Sequence, residues 1–255
     1  MFDISLNPNL MQMVAGKRVA IIGPSPHLVG KNQGSYFDDY DVVCRINDII
    51  PLPHLRKDYG SRTDIMFHNF GTPWMDGLKR KIQSSKQHFD ELKMAVCPVI
   101  LSEHSEVASY LSWPDNYISK VVDNFHSIND NFIPFYWIGV RDYKTIYKLV
   151  GAQPNSGMMA VLMLSRYPIK ELLVSGFTFF AEGTKLKEVY CDGHWDELEA
   201  SKRNNYGIHS GHGYRANVSQ INLFKKFIKM HYNLVRVDSK LNDLLQLEHP
   251  STLKL

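Results

Sequence analysis

Three short apolar runs in the first third of the chain each end in residues that could contact a polar ligand. An asparagine amide offers two donors and an acceptor without adding charge, which suits a ribose or a phosphate. If the runs are parallel strands, their carboxyl ends meet at one crevice. The runs span 18–22, 42–46 and 64–68, and they are followed by Gly23-Pro24-Ser25, by Asn47 and by Asn69. We therefore assign these residues to one binding site. The alternatives are a plain strand–helix turn for the glycine loop and turn capping for the asparagines.

A second candidate feature is the segment Pro154-Asn155-Ser156-Gly157, which precedes an almost uniformly apolar stretch. Such a stretch predicts a buried helix. Asn155 or Ser156 would cap this helix, and Gly157 would leave its first backbone amides open. An exposed helix N-terminus binds anions through its N–H groups and its dipole. Simple capping without a ligand fits the same residues.

A third candidate is a histidine-rich segment that also contains acidic residues. A zinc site is disfavoured, because the spacing fits no standard ligand set and cysteine partners are missing. General-base catalysis fits better, since imidazole titrates near neutral pH. His209 is the leading candidate, because it directly precedes a predicted helix and lies at the end of a long segment, 177–210, that could close over a site. The segment's histidines and acids are His194, His209, His212, Asp192, Asp196 and Glu197.

Predicted strands alternate with predicted helices along the chain. This alternation predicts an α/β fold with a doubly wound, mostly parallel, Rossmann-like sheet in one domain spanning 1–255. The remaining strands are predicted at 94–100, 171–176 and 233–237. Residues 101–135 have no clear pattern. Helices are predicted at 9–14, 74–92, 141–150, 158–167 and 214–231.

Composition restricts the function classes. The chain has 255 residues, of which 44% are hydrophobic and 22% charged, and its formal charge is +3. This charge is too small to indicate a nucleic-acid partner, although it tolerates an anionic substrate. The three cysteines are widely spaced, which favours a reducing compartment over a disulfide framework. No signal peptide or membrane anchor is recognisable, so we expect a cytoplasmic protein.

In this order, the motifs resemble those of sialyltransferases that use CMP-activated sialic acid, namely glycosyltransferase family 29 and the related bacterial family 42. The similarity runs from Arg18 to about Leu245 and is poor over 75–150. RVAIIGPS with DYDVVCRIN resembles the large sialyl motif, and PNSGMMAVLML with ELLVSGF resembles the small motif. GHWDE is similar to the third motif. GIHSGHGYRANVSQINLFKKF resembles the very small motif, with His209 in the place of the catalytic histidine.

The resemblance implies a GT-A-like sialyltransferase fold and roles for individual residues. Asn47 and Asn69 would contact the ribose, phosphate or sugar of the donor. Ser156 and Gly157 would hold the sugar carboxylate or the phosphate. His209 would take the proton of the acceptor hydroxyl, and His194 or Tyr190 would hydrogen-bond the departing phosphate. Further implied substrate-binding residues are Gly23, Pro24, Ser25, Asn155, Gly176, Phe177, Thr178 and Trp195. No metal or cofactor is implied, and the acceptor would be a glycan or a glycolipid.

Several positions depart from the family pattern. Pro24 replaces a usual asparagine, Phe180 replaces an aromatic hydroxyl, and Tyr214 replaces a usual glutamate, while Asp196 and Glu197 align equally well with the acid of the third motif. The animal enzymes' paired cysteines and membrane anchor are absent, which fits a bacterial or viral version.

Three other functions stay open at this stage. The donor could carry another keto-acid sugar, such as Kdo, since both sugars place a carboxylate beside the anomeric carbon. The protein could also be a non-catalytic binder of nucleotides or glycans. A nicotinamide-dependent oxidoreductase is disfavoured, because no G-x-G-x-x-G is present.

The C-terminal helix leaves one further partner open. Its lysines and aromatics could meet a membrane surface or a lipid-linked glycan, although packing with a solvated lysine face is the favoured interpretation. These residues are Lys225, Lys226 and Lys229 with Phe224 and Phe227. The oligomeric state is not predicted.

Overall fold

Seven strands form one parallel sheet in the computed structural model, which describes residues 5–47, 51–98, 116–130, 132–151, 154–179, 191 and 214–247. The spatial order is β5-β4-β3-β2-β1-β6-β7, and every neighbouring pair is parallel. The strands are β1 (Arg18–Ile22), β2 (Val42–Ile46), β3 (Ile65–Phe67), β4 (Met94–Cys97), β5 (Phe135–Trp137), β6 (Glu171–Ser175) and β7 (Val235–Val237). The predicted α/β fold with a parallel, doubly wound sheet is confirmed.

Helices cover both faces of this sheet. They are α1 (Pro8–Val14), α2 (Gly34–Asp38), α3 (Arg56–Tyr59), α4 (Thr72–Ser84), α5 (Lys86–Asp90), α6 (Asn116–His126), α7 (Val140–Val150), α8 (Ser156–Leu164), α9 (Tyr214–Met230) and α10 (Ser239–Leu245). Short 3₁₀ turns lie at Pro26–Leu28 and Pro53–Leu55. No helix in these stretches is long and apolar enough to cross a membrane.

The strands are apolar throughout because a parallel sheet is buried on both faces. In β2, Cys44 and Ile46 point into the layer that contains α1 and α7 to α10, whereas Val43 points into the opposite layer with α2 and α3. A separate apolar cluster joins α4, α5 and α6 to the sheet around Met66 and Ala95. From Gly157 to Leu164, α8 is buried at every position, as its uniformly apolar sequence predicts.

The structure differs from the predicted elements in several places. The predicted helix 74–92 is two helices, because the backbone at Ser85 leaves the helical region, with φ −144°. The predicted strand 94–100 ends at Cys97, and α6 and β5 lie within the unassigned range 101–135. The helix α10 was not predicted.

In the C-terminal region, Phe224 and Phe227 are buried against the core. This burial supports the interpretation of α9 as a packed helix, with Lys226 and Lys229 on its exposed side.

The order of the strands predicts where on the sheet a ligand would bind. Strands β1 to β5 follow one another toward one edge, and the chain then returns to place β6 on the other side of β1. Ligands in open α/β sheets bind at the carboxyl ends of the strands where this order reverses. This rule predicts a ligand crevice at the carboxyl ends of β1 and β6.

Candidate active site

The carboxyl ends of four adjacent strands bring together residues that are far apart in sequence. Ile22 of β1 pairs with Arg45 of β2 on one side and with Ser175 of β6 on the other, and Ile46 pairs with Phe67 of β3. The residues that follow these strand ends therefore form one row along the sheet edge: Asn69, Asn47, Gly23 and Gly176. All four belong to the predicted site.

Two glycines form the centre of this row by direct contact of their backbones. The Gly23 N–H donates to the Ser175 carbonyl at 2.7 Å, and the Ser25 N–H donates to the Gly176 carbonyl at 3.0 Å. A Cβ on Gly23 would collide with the Gly176 carbonyl oxygen, and Gly176 has φ +79°, which strains other residues. The approach of the two loops therefore requires glycine at both positions.

The two asparagines are held differently. Asn47 adopts a left-handed backbone with φ 60°, which asparagine tolerates better than most residues, and its N–H donates to the Phe67 carbonyl at 2.6 Å. The Asn69 Oδ1 accepts a hydrogen bond from the Gly71 N–H at 3.1 Å. Turn capping is thus the role of the Asn69 oxygen. Its amide nitrogen still carries two donors that a ligand could use.

The start of α8 offers backbone donors beside this row. Asn155 is the N-cap, since its Oδ1 accepts from the Met158 N–H at 2.7 Å, and its own N–H donates to Oε1 of the buried Gln220 at 2.8 Å. A helix start has four N–H groups without partners inside the helix. Gln220 and the Asn155 cap satisfy two of them, and no partner among the described residues takes the amides of Ser156 and Gly157, which are therefore the candidate donors for an anion.

A phenyl ring connects α8 to the end of β6. A Cβ on Gly157 would collide with Cε1 of Phe177 and would lie 3.0 Å from its Cδ1. The other edge of the same ring would lie 3.0 Å from a Cβ on Gly23. Phe177 and Thr178 are both buried, so Phe177 spaces the helix start from the glycine pair. Contact of either residue with a ligand stays a prediction.

A buried hydrogen-bond network lies beneath Gly23 and Gly176 and was not predicted from the sequence. The Asp238 Oδ2 accepts from the Ser175 hydroxyl at 2.8 Å and from the Gly176 N–H at 2.7 Å, and it lies 3.2 Å from Nε2 of His27. His27 Nδ1 lies 2.9 Å from the Ser25 hydroxyl. Ser25 and Asp238 are 2% and 3% exposed. This network ties the loop after β1 to the end of β6.

Hydrogen bonds keep Asp238 ionised despite its burial. Burial alone would raise the pKa of Asp238, but hydrogen bonds from His27 and from the Leu241 and Gly176 N–H groups outweigh it, so the pKa lies below its usual value. The signal available in sequence was an aspartate between a strand and a helix. That pattern predicts an N-cap, which Asp238 is, through a 2.8 Å bond from the Leu241 N–H.

The opposite face of the loop is held by Tyr59, Arg45 and Cys191. The Tyr59 hydroxyl donates to the Ser25 carbonyl at 2.6 Å, and the Arg45 guanidinium donates to the Tyr59 carbonyl at 2.7 Å. Burial lowers the pKa of Arg45 to about 10, so the side chain stays cationic at neutral pH. The Cys191 N–H donates to the Pro24 carbonyl at 2.6 Å, and burial raises the pKa of its thiol to about 11. Cys191 thus anchors one point of the predicted lid segment to the glycine loop.

Four predicted residues lie outside the described residues: His209, His194, Tyr190 and Trp195. Their roles stay predictions. The histidines and acids considered for zinc lie outside as well. Within the part of the chain that the structure describes, no group of three or more His, Cys, Asp or Glu side chains could hold a metal ion.

Comparison with known proteins identifies the family. The model of glycosyltransferase family 29 (sialyltransferase) matches residues 5–221. The chain belongs to this family. It is therefore a glycosyltransferase of the sialyltransferase family, as its motifs predict. No curated protein sequence matches it.

Solved sialyltransferase structures resemble this sialyltransferase-family chain over most of its length. A mammalian sialyltransferase is 17% identical, with a TM-score of 0.50, over 91% of this chain and 73% of the other. At this identity the likeness shows a shared fold. A mammalian sialyltransferase in complex with Gal-beta-1-3GalNAc-ortho-nitrophenol is 18% identical over 91% and 73%, with a TM-score of 0.48. Monomeric CstII is 17% identical over 87% and 80%, with a TM-score of 0.48.

Proposed function

We propose that this enzyme transfers sialic acid from CMP-sialic acid to a hydroxyl of a glycan or glycolipid, with inversion at the anomeric carbon. The supporting observation is the assembly of the predicted donor-binding residues at the reversal of strand order. Gly23, Asn47, Asn69 and Gly176 follow four adjacent strands, and the α8 start packs beside them through Phe177. Membership of the sialyltransferase family supports the same reaction.

The donor's anionic groups match what the site offers. The phosphate of a CMP-sugar and the carboxylate beside the anomeric carbon both need hydrogen-bond donors. The amides of Ser156 and Gly157 provide backbone donors with a favourable helix dipole. Amide nitrogens of Asn47 and Asn69 add neutral donors for a ribose or a phosphate. The buried Arg45 adds a positive charge near the carboxyl end of β2.

The chemistry follows from the leaving group. The acceptor oxygen forms a bond to the anomeric carbon as the bond to the CMP phosphate oxygen breaks, and CMP departs with that electron pair. His209 takes the acceptor proton as general base, a contribution of about 10²–10⁴-fold. Hydrogen bonds from His194 or Tyr190 would offset the charge that develops on the departing phosphate. Segment 177–210 would exclude water and limit hydrolysis of the donor. The proposal includes no metal ion, since CMP leaves readily once its phosphate is hydrogen-bonded.

Two related functions remain as alternatives. A CMP-Kdo-dependent transferase needs the same carboxylate and phosphate contacts. The departures at Pro24, Phe180 and Tyr214 are the observation that a non-catalytic binder would explain. A cytoplasmic location and peripheral contact with a membrane-bound acceptor are expectations that accompany the proposal.

Thermal-shift titration with CMP, CDP, UDP and NAD tests the donor site. We expect cytidine nucleotides to raise the melting temperature of the protein and NAD to leave it unchanged, because the crevice lacks the dinucleotide glycine pattern. Stabilisation by NAD and not by CMP would refute the proposal. A screen for hydrolysis of CMP-sialic acid and CMP-Kdo then distinguishes the two donors without knowledge of the acceptor. Absence of both hydrolysis and transfer would favour the binder.

His209→Ala tests the base. We expect transfer to fall by about 10²-fold or more while CMP binding stays at the wild-type level. His212→Ala is the matched control, three residues further along the same motif, and should retain transfer. Wild-type turnover in His209→Ala would remove His209 from the base role.

A further inference from the structure

The outer side of α7 and α9 combines unpaired cations with exposed apolar side chains. Both helices bury one side in the same core cluster and contact each other, so their other sides face away from the sheet together. We call this surface the α7–α9 face. It is defined by six exposed residues, which lie outside the proposed donor site: Arg141, Lys148, Leu149, Lys226, Lys229 and Met230.

The exposed charge on the two helices is of one sign. Helix α9 contains no acidic residue, and the single acid of α7, Asp142, is 4% exposed and accepts a hydrogen bond from the Ser5 N–H. None of the four cations of the face has a carboxylate partner among the described residues, whereas Lys86 and Lys93 elsewhere on the surface form ion pairs. A chain with a formal charge of only +3 therefore concentrates unpaired positive charge here.

Helix stability accounts for only part of this charge. The helix dipole favours a cation near the C-terminus, which suits Lys148 and Lys229 in the last turns of α7 and α9. Arg141, however, lies in the first turn of α7, where the dipole disfavours a cation. Lys226 lies before the last turn of α9. These two residues suggest that the positive surface serves a negatively charged partner.

Exposed apolar side chains lie among these cations. Met230 is 70% exposed and Leu149 is 44% exposed, and each directly follows a lysine. Phe224 and Phe227, which the sequence offered for such a contact, are buried and take no part. Apolar groups beside cations match the surface of a bilayer, where anionic headgroups meet acyl chains. A nucleic-acid backbone would use the cations and leave the apolar groups in water.

We propose that the α7–α9 face docks the protein on a membrane surface that contains anionic lipid. The four cations contact the headgroups, and Leu149 and Met230 enter the boundary of the acyl chains. This inference goes beyond the proposed transfer reaction and does not depend on it, because the face lies outside the donor site.

Docking in this way would also place the crevice beside the bilayer. The Gln220 side chain of α9 accepts a hydrogen bond from the Asn155 N–H at the start of α8. Met230 lies about 15 Å further along the same helix, at 1.5 Å per residue. The crevice and the α7–α9 face are therefore neighbours, and a lipid-linked acceptor is within reach of the site when the protein is docked.

Sedimentation with lipid vesicles measures this docking on the full chain without any substrate. The vesicles contain equal parts of phosphatidylglycerol and phosphatidylcholine, or phosphatidylcholine alone. We expect the wild type to bind the anionic vesicles at least about tenfold more tightly than the neutral ones. Binding should be lost between about 0.1 M and about 1 M NaCl, because the screening length falls from about 10 Å to about 3 Å.

Three variants test the two kinds of contact. Each lysine near an anionic surface contributes about fivefold in affinity, so the double variant Lys226→Gln with Lys229→Gln should bind about 20-fold more weakly. The matched control is Lys57→Gln with Lys79→Gln, which neutralises two exposed lysines on the opposite side of the sheet and should bind like the wild type. Met230→Ser should weaken binding by about threefold or more, because it removes apolar surface from the contact.

A fluorescent label locates the contact directly. Met230→Cys introduces a single exposed thiol, since the three native cysteines are buried. A polarity-sensitive dye attached there should brighten and shift to the blue on anionic vesicles. The same dye attached through Lys57→Cys should not change.

Every outcome supports or overturns the docking face. Absence of wild-type binding, equal binding to both kinds of vesicle, or an equal loss in the Lys57 and Lys79 control would refute it. Lysine-dependent binding of a DNA duplex without vesicle binding would assign the face to nucleic acid and also refute it. Vesicle binding by a protein that hydrolyses no CMP-sugar would refute the proposed function and leave this inference standing. Melting curves establish folding, and if the lysine variant does not fold, the lipid dependence of the wild type and the label at position 230 decide.

Discussion

The contact between Gly157 and Phe177 allows a test in which two general effects predict opposite signs. Gly157 has helical backbone dihedrals near the start of α8, so alanine would be preferred on helix propensity by up to about 1 kcal/mol. However, the added Cβ would collide with Cε1 of Phe177 and lie 3.2 Å from its Cζ. The ring cannot simply move away, because its opposite edge faces Gly23.

We expect the collision to exceed the propensity gain. Overpacking in a well-packed core costs about 1–3 kcal/mol, so Gly157→Ala should lower the free energy of unfolding by about 1–2 kcal/mol. In a Phe177→Ala background the ring is gone, and the same substitution should become neutral or stabilising by up to about 1 kcal/mol. The coupling between the two positions is then about 2 kcal/mol.

Urea denaturation followed by far-UV circular dichroism measures all four proteins of this cycle. Phe177→Ala alone should cost about 3–5 kcal/mol because it empties a buried site. Phe177→Leu provides a milder background if that loss is too large. Stabilisation by Gly157→Ala in the wild-type protein, or equal effects in both backgrounds, would refute the proposed spacing role of the ring.

Three further predictions concern the cap, the buried carboxylate and the thiols. Asn155→Ala should lower the free energy of unfolding by about 1 kcal/mol, whereas Asn155→Ser should keep that free energy close to the wild-type value, because serine also caps helices. Urea denaturation measures both variants, and equal losses would exclude the capping bond. Because the pKa of Asp238 is lower in the folded protein, its stabilisation is complete above the unfolded-state pKa of about 3.9 and disappears as the pH falls through the folded-state value. The stability difference between wild type and Asp238→Asn should therefore narrow below about pH 4, and a constant difference down to pH 2 would contradict this. All three cysteines are buried, and the pKa of the Cys191 thiol is about 11. An aromatic disulfide reagent should therefore label none of them within minutes at pH 7.5, but all of them in guanidinium. Rapid labelling of the native protein would contradict the burial.

The local pattern of the sequence was sufficient to predict the central strands of the sheet. The strands β1 and β2 were predicted at the residues where they occur, because each is a short apolar run bounded by turn residues. The N-cap at Asn155 was one of two predicted, since asparagine before an apolar helix is a strong signal. Membership of the sialyltransferase family also followed from the motifs.

The features that were missed depend on contacts between distant parts of the chain. A propensity pattern does not show that Asp238 would reach Ser175 and His27, because these contacts exist only after β7 pairs with β6. Strand β5 has three residues and lies in the range 101–135, where the sequence shows no clear pattern. The break at Ser85 carries no glycine or proline to mark it. The general-base role of His209 rests on the sequence alone, because this residue lies outside the described residues, and it stays a prediction.

The pairing of β1 with β6 has a consequence for synthesis of the protein on the ribosome. Strand β1 emerges early, but its partner on one side follows only after most of the chain has been made. Until then one side of this buried, apolar interior strand is an unpaired edge, and such edges recruit other chains. Chains that stop before Glu171 should therefore aggregate, whereas chains that include β6 should stay in solution.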